Sequence, residues 1–329
     1  MAKRRTTNEI CRDDEILRLE RADRDGYELT KLSRNLNLLA LQGNLAPVFH
    51  RDAEVEAIQK LLLRRTKPNA LLVGPAGCGK TAIAEALAIF IANQKVAWRE
   101  EQHKADNDHS REVKAWEKMA DPSLPYPEKV EVPKPPLCDI IIYDLSMNSL
   151  LSGTKYRGEF EERLQGVMDI CKTNPNIVLF IDEIHQMNEI GNSDGATSMG
   201  QILKPALARA EVRVIGATTT EESSIVKKDK ALARRFSDVA IRPLTGDTAI
   251  DTAENILADY EKFHAVKVEE VTPSQILEMV NFHIGGVFPN NFIDVIDEAM
   301  SGAKFEGKTS IALPEIKAVL SRISGNIII

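Results

Sequence analysis

Residues 71–86, LLVGPAGCGKTAIAEA, restrict the fold more than any other part of the chain. Leu71, Leu72 and Val73 are a short apolar run of the kind that forms a buried strand. Gly74-Pro75-Ala76-Gly77-Cys78-Gly79-Lys80-Thr81 fits G-x-x-x-x-G-K-[ST], and Ile83, Leu87 and Ile91 continue at helical spacing. Small residues let successive backbone N–H groups curl around phosphate oxygens, and the following helix aims its positive end at them. Lys80 is placed to reach the β/γ-phosphates and the Thr81 hydroxyl to hold Mg²⁺. Cys78 reads as a small filler within the loop. A Gly-rich turn with a chance Lys-Thr is the plainer alternative, but strand, loop and helix occur in the order that phosphate binding requires.

The 329 residues are 43% hydrophobic and 28% charged, enough for one large domain or two medium ones. The formal net charge of −7 argues against a free-standing nucleic-acid binder, which usually carries a basic footprint. Cys11, Cys78, Cys138 and Cys171 form no CxxC pair and read as reduced thiols. The basic start has no apolar segment behind it, and no apolar run approaches a membrane span. The expectation is a soluble, cytoplasmic protein.

Along the chain, residues 1–28 are rich in charge and poor in large apolar groups, so disorder or a marginal helix is expected. Leu29, Leu32, Leu36 and Leu39 predict one amphipathic helix over 29–41, stopped by Gly43, and a second helix is predicted over 53–63. Residues 93–137 hold 17 charged residues and six prolines. Their first half predicts a solvated helix and their second half an extended, proline-stiffened return. Trp98 and Trp116 lie five helical turns apart, to pin this insertion down or to dock a partner. Residues 139–143, 176–181 and 212–217 read as buried strands, with helices between them near 159–171 and 198–210. That alternation predicts an α/β domain with a parallel sheet covered on both faces. After Pro243 the pattern turns helical, over 249–264, 273–282, 290–303 and 314–324. The predicted organisation is an N-terminal arm with one helix over 1–42, an α/β domain over 43–243 and a smaller helical domain over 244–329.

The chemistry centres on the second acidic motif. The apolar run 177–181 ends in Asp182-Glu183, which places two carboxylates at a strand tip where such sheets bind ligands. Asp182 would support Mg²⁺ through its water shell, and Glu183 would polarise the water attacking the γ-phosphate. The next strand ends in Thr218-Thr219-Thr220, and Thr219 could hold that water from the far side; a helix cap is the alternative, since Glu221 and Glu222 follow. Arg234 and Arg235 beyond a short helix could be solvated, or could reach a neighbouring subunit's γ-phosphate. Lys155-Tyr156-Arg157-Gly158 is poor core material and suits gripping an extended chain, packing between subunits, or nucleic-acid stacking. His185 has no second histidine at ligand spacing and reads as structural.

In order, GPAGCGKTAIAEALA, LSGTKYRGEFEERL, VLFIDEIHQM, ILKPALARAEVRVIGATTTEE and KDKALARRF resemble the first ATPase module of ClpA/ClpB-type AAA+ unfoldases. The flanks LTKLSRNLNLLALQGNLAPVFHRD, FIDVIDEAM and LPEIKAVLSRISG are similar too, so the resemblance runs from about Leu29 to the C-terminus outside 93–137. It implies an AAA+ P-loop domain with a helical lid, in a homo-hexameric ring that hydrolyses ATP with Mg²⁺ at subunit interfaces. It implies that Tyr156 lies on a pore loop gripping polypeptide, with Lys155, Arg157 and Gly158 beside it. Glu183 falls on the hydrolytic glutamate, Thr219 on the first sensor, Arg234 and Arg235 on the trans-acting arginines, and Val48 and Phe49 on the adenine pocket. Two departures stand out. Val48-Phe49-His50-Arg51 replaces the family's V-I-G-R, and Pro289-Asn290-Asn291-Phe292-Ile293-Asp294 replaces P-D-K-A-I-D, which removes a lid cation. The expected form is a single ring without the family's N-domain, middle domain or second module. The competing expectations are a nucleic-acid-directed AAA+ motor and a nucleotide-switched assembly factor that never translocates. Substrate, adaptor and any protease partner are not specified by these motifs.

Overall fold

A computed structural model describes residues 6–119, 121, 123–152, 157–188 and 199–328, with backbone only at 27, 157, 158 and 188. The chain opens with α1 (Thr7–Asp25), α2 (Tyr27–Thr30), strand β1 (Ser33–Asn35) and α3 (Leu36–Gln42). Then come α4 (Asp52–Leu62), β2 (Asn69–Val73), α5 (Lys80–Met119) and β3 (Ile141–Leu145). These are followed by α6 (Met147–Leu151), α7 (Arg157–Thr173), β4 (Ile177–Ile181), a 3-10 turn over Ile184–Asn188 and α8 (Met199–Ala208). Next are β5 (Arg213–Thr218), α9 (Ser223–Lys228), α10 (Lys230–Ala233) and β6 (Phe236–Ala240). The C-terminal region holds α11 (Asp247–His264), β7 (Lys267–Val268), α12 (Pro273–His283), α13 (Asn290–Phe305), β8 (Ser310–Ile311) and α14 (Leu313–Ser324).

The main sheet runs β1-β3-β4-β5-β2-β6, with β1 antiparallel to β3 and every other pairing parallel. Strands β2 and β4 are nearly or wholly buried along their length, as a sheet covered on both faces requires. One face packs Leu71, Leu179 and Val214 with Leu164 and Leu203, and the other packs Leu72, Phe180 and Ile215 with Ile58, Ile83 and Leu87. A third apolar cluster, centred on Phe292, Val295, Ile276 and Leu320, holds the C-terminal helices together. Because the strands are parallel, the C-terminal ends of β2, β4 and β5 meet along one edge, and the loops after them share a crevice.

The N-terminal region corrects two expectations. Residues 7–25 are an ordered helix with a capping box between Thr6 and Glu9. Its buried positions are Cys11, Glu15 and Leu19, so an acid interrupts the apolar stripe, and Arg18 and Arg99 neutralise that acid. The predicted helix over 29–41 is instead α2, the edge strand β1 and α3. Asn35 accounts for the break: its side chain accepts from Leu38 N–H and caps α3, while its backbone pairs with Tyr143. Strand β6 and the two-residue β7–β8 pair, the latter beyond Pro243, add strands that the apolar-run reading did not provide.

Helix α5 runs unbroken for 40 residues, roughly 60 Å at helical rise. The indole of Trp98 donates to the Val132 carbonyl (3.2 Å) and that of Trp116 to the Leu124 carbonyl (3.1 Å), so both tryptophans bind the proline-rich return to the helix.

Candidate functional site: a nucleotide cradle between two domains

The loop between β2 and α5 is shaped by steric necessity at two glycines. At Gly74 a Cβ would lie 2.3 Å from the Ile241 carbonyl oxygen, so the loop can leave the sheet only with glycine there. Gly77 has φ +79, and a Cβ on it would meet the Asn290 Cβ at 2.9 Å, because the start of α13 closes onto the loop. Cys78 is fully buried in the core behind the loop, and burial pushes its thiol up, which suits a filler and not a reactive thiolate. The Lys80 ammonium folds onto the carbonyls of Gly74 (3.0 Å) and Pro75 (2.9 Å). Thr81 donates its hydroxyl proton to the Asp182 carboxylate at 2.7 Å, which joins the phosphate loop to the tip of β4. Asp182 also accepts from the Glu183 N–H at 2.9 Å. This hydroxyl–carboxylate pair beside an ammonium is an oxygen-donor set suited to Mg²⁺ and phosphate.

Glu183 has a left-handed backbone, φ +51, a strain of roughly 1–3 kcal/mol for a non-glycine residue. The strained turn brings its carboxylate 3.4 Å from His185 Nε2. On the other side of the same ring, Nδ1 lies 3.1 Å from the Thr218 hydroxyl and 3.3 Å from the Glu222 carboxylate. Thr219 donates to Glu222 (2.7 Å) and accepts from the Glu222 N–H (3.2 Å), the local arrangement of a helix-capping threonine. Glu183, His185 and Glu222 bring ligand-type atoms within 4.8 Å of one another. The two carboxylates face different ring nitrogens.

The other end of the cradle is apolar. Val48 and Phe49 line a cleft of about 180 Å³ with Ile256 and Tyr260 of α11 and Pro289 and Ile293 of α13. Its walls come from both domains, and its dimensions suit a flat heterocycle. Arg51, 5% exposed, donates to the carbonyls of Cys78 and Arg242, both at 2.8 Å, and pairs with Glu54 at 3.0 Å. It thereby locks the phosphate loop to the strand leading into the lid. His50 bonds Asp251 of α11 at 2.6 Å across the cleft mouth.

Arg234 and Arg235 follow α10 and precede β6, whose register pairs Asn69 with Phe236 and Val73 with Ala240. They therefore lie at the opposite end of the strands from Lys80, with a five-residue strand, roughly 17 Å long, between the two ends. Among the described residues neither guanidinium has a side-chain hydrogen bond or ion pair. Lys155 and Tyr156 lie outside the described residues; Arg157 and Gly158 begin α7.

Sequence reasoning gave Val48, Phe49, the phosphate loop, Lys80, Thr81 and Asp182, which the fold brings into one crevice. It gave Arg51 and Glu222 no role of their own and read His185 as structural. For Arg51 a signal existed, a lone cation before α4; for His185 only Glu183 is a local partner, and Thr218 and Glu222 lie far along the chain.

A mostly parallel sheet with this cradle at its strand tips and a helical domain closing over it defines a nucleotide-hydrolysing P-loop module with a lid. Residues 70–244 match the ATPase family associated with various cellular activities (AAA), and residues 245–327 match the AAA lid domain. The chain belongs to the AAA family and is an ATP-hydrolysing enzyme. Within that family it is similar to chaperones and unfoldases of the Clp type. It is 37% identical over 297 residues to the chaperone protein ClpB of Aquifex aeolicus, covering 90% of this chain and 26% of that protein. It is 34% identical to the Clp protease ATP-binding subunit ClpC of Staphylococcus saprophyticus, covering 90% and 32%. The Hsp104–ADP complex of S. cerevisiae superimposes with a TM-score of 0.69 at 29% identity, over 91% of this chain and 46% of that one. Closed-state Hsp104 with ATPγS and FITC casein matches with the same TM-score over 45% of its chain. The chain thus spans about a quarter to a third of the length of the curated relatives it matches. Among the described residues no helix is long and apolar enough to cross a membrane.

Proposed function

We propose that this chain is a protomer of a homo-hexameric, ATP-driven ring that unfolds or remodels polypeptides in the cytoplasm. The observation that carries the reading is the separation of the catalytic parts. Lys80, Thr81, Asp182 and Glu183 converge at one end of the sheet, while Arg234 and Arg235, without a side-chain partner among the described residues, stand at the other end. A protomer cannot bring those arginines to its own cradle, but a neighbour in a head-to-tail ring can.

In this reading the loop N–H groups and Lys80 bind the β/γ-phosphates, and Val48 and Phe49 hold the adenine. Thr81 and Asp182 would hold Mg²⁺, which would supply neutralisation of phosphate charge. Glu183 orients and deprotonates the attacking water, Thr219 steadies it, and Arg234 and Arg235 of the next protomer stabilise the charge on the transferred phosphoryl. Tyr156, flanked by Lys155, Arg157 and Gly158, grips the threaded chain. A polypeptide substrate fits the net charge of −7 better than nucleic acid does, and the Hsp104 structure bound to FITC casein supports it.

The test is Glu183→Gln. It should bind ATP as wild type does, turn over about 100-fold more slowly or less, and co-elute with casein in ATP. Adding Tyr156→Ala should release the casein while ATP stays bound. Wild-type turnover in Glu183→Gln removes the hydrolytic assignment. Casein retention that survives Tyr156→Ala removes the pore grip.

A further inference from the structure

We propose that His185 is a positioning residue for hydrolysis: held on the tip of β5 by Thr218 and Glu222, its imidazole fixes the carboxylate of Glu183. The inference rests on Glu183 being the hydrolytic acid.

His185 is 6% exposed and sits in the 3-10 turn immediately after β4. That turn packs between two strand ends, so the ring spans the gap from β4 to β5. Its hydrogen-bond partners constrain its protons. The Thr218 hydroxyl, itself fully buried, can donate to Nδ1 at 3.1 Å, which leaves Nε2–H facing the Glu183 carboxylate at 3.4 Å. A doubly protonated ring would donate to Glu222 and Glu183 together. With Nδ1 accepting from Thr218 the single proton lies on Nε2 and faces Glu183; with the proton on Nδ1 it would face Thr218 and Glu222 instead.

The need for such a restraint is visible in Glu183 itself. Its backbone is left-handed and its side chain about half exposed, 45%, so little else limits where the carboxylate points. Glu222 accepts from Thr219 at 2.7 Å while it faces His185, so one chain of contacts links the β5 tip to the acid. At 3.4 Å the last contact is an ion-pair approach and not a formed hydrogen bond, so it confines the carboxylate to a sector and leaves it free to advance on a water. A histidine serving only the core would need neither acid.

The test compares His185→Leu, →Gln and →Asn with Glu183→Gln in the full chain, by steady-state ATPase kinetics, fluorescent-ADP binding and thermal unfolding. Leucine should lower kcat roughly 10–100-fold, the effect of misplacing a reacting group by about an ångström, with KM and ADP affinity within about twofold of wild type. Glutamine can present its N–H near the Nε2 position and should restore most of kcat, whereas asparagine, which mimics Nδ1, should restore less. Wild-type kcat in His185→Leu while Glu183→Gln is inactive overturns the positioning role alone. Turnover in Glu183→Gln overturns the assignment beneath it. Should leucine fail to fold, the Gln-over-Asn order and a fall in kcat for Glu222→Gln decide, and equal activities of Gln and Asn count against the proposal.

Discussion

Lys95 shows what a single charge inside this domain requires. It is 5% exposed on α5, bonds Asp139 at 2.5 Å, and holds its ammonium 4.8 Å from the Trp98 ring centroid. Lys134 from the return segment joins the same carboxylate and lies 5.4 Å from the same ring. Burial pushes the Asp139 carboxyl up, but hydrogen bonds from Lys134 and Lys95 outweigh it and hold the group below its usual range. Asp139→Asn strands a buried ammonium, which costs ~3–5 kcal/mol in a fully buried pair. Asp139 is 35% exposed, so solvent screening reduces the expected loss to about 1–2 kcal/mol, read as a lower urea midpoint at neutral pH. A depressed folded-state value means the stabilisation is fully present above the unfolded value, near pH 4, and fades as pH falls through the folded one. The gap between wild type and variant should therefore close in acid; a gap that is constant with pH would rule out the ion pair as its origin. The same residue scale explains what was legible in the sequence. Lys80, Thr81 and Asp182 sit in contiguous motifs whose spacing states their chemistry. Arg51 reaches backbone carbonyls 27 and 191 positions away, and His185 also touches Thr218 and Glu222 on and beyond β5, which local spacing does not encode.

At the scale of elements, the cleft lined by Val48 and Phe49 is closed by a clasp. His50, on the approach to α4, has φ +54, and its ring reaches Asp251 near the start of α11 at 2.6 Å. The pair is partly exposed, so it contributes about 0.5–1 kcal/mol to holding lid and sheet domain together over Phe49 and Tyr260. Glycine adopts this φ without strain, so His50→Gly should remove the clasp and leave the thermal midpoint nearly unchanged. Fluorescent-ADP release measured by stopped flow should quicken about 2–5-fold, and Asp251→Asn should match it. Unaltered release in both variants would show that the contact does not restrain the lid. Elements differ in legibility for equally physical reasons. β2, β4 and β5 are apolar runs fully enclosed by helices, and such runs announce themselves. β6, Phe236–Ala240, buries only Phe236 and Val239 at a sheet edge, and β1 is three residues long, so neither has a strong pattern. Helix α1 is held by Leu19, Cys11 and a neutralised Glu15 against α5, a tertiary arrangement that a charge-rich sequence conceals.

At the scale of the whole molecule, the sheet is a spacer between the cradle and the Arg234–Arg235 pair, the two parts that the proposed mechanism would join across neighbouring protomers. The cradle opens at the C-terminal strand ends, and the arginines stand at the N-terminal end of β6, on the edge strand of the sheet. An active centre assembled between copies makes a specific demand that a self-sufficient protomer does not. Glu183→Gln supplies intact arginines but an inert cradle; a protomer carrying Arg234→Ala with Arg235→Ala supplies an intact cradle but no guanidinium. Each alone should show almost no ATPase. Mixed in equal amounts and allowed to exchange, the two should form interfaces of which about a quarter pair an intact cradle with intact arginines, since each half is chosen independently in a head-to-tail ring. Turnover near that fraction of wild type, absent from either pure sample and dependent on protein concentration, is the expected outcome. A mixture as inactive as its components, under conditions where subunit exchange is confirmed by fluorescence transfer, would mean that the arginines do not act across the interface.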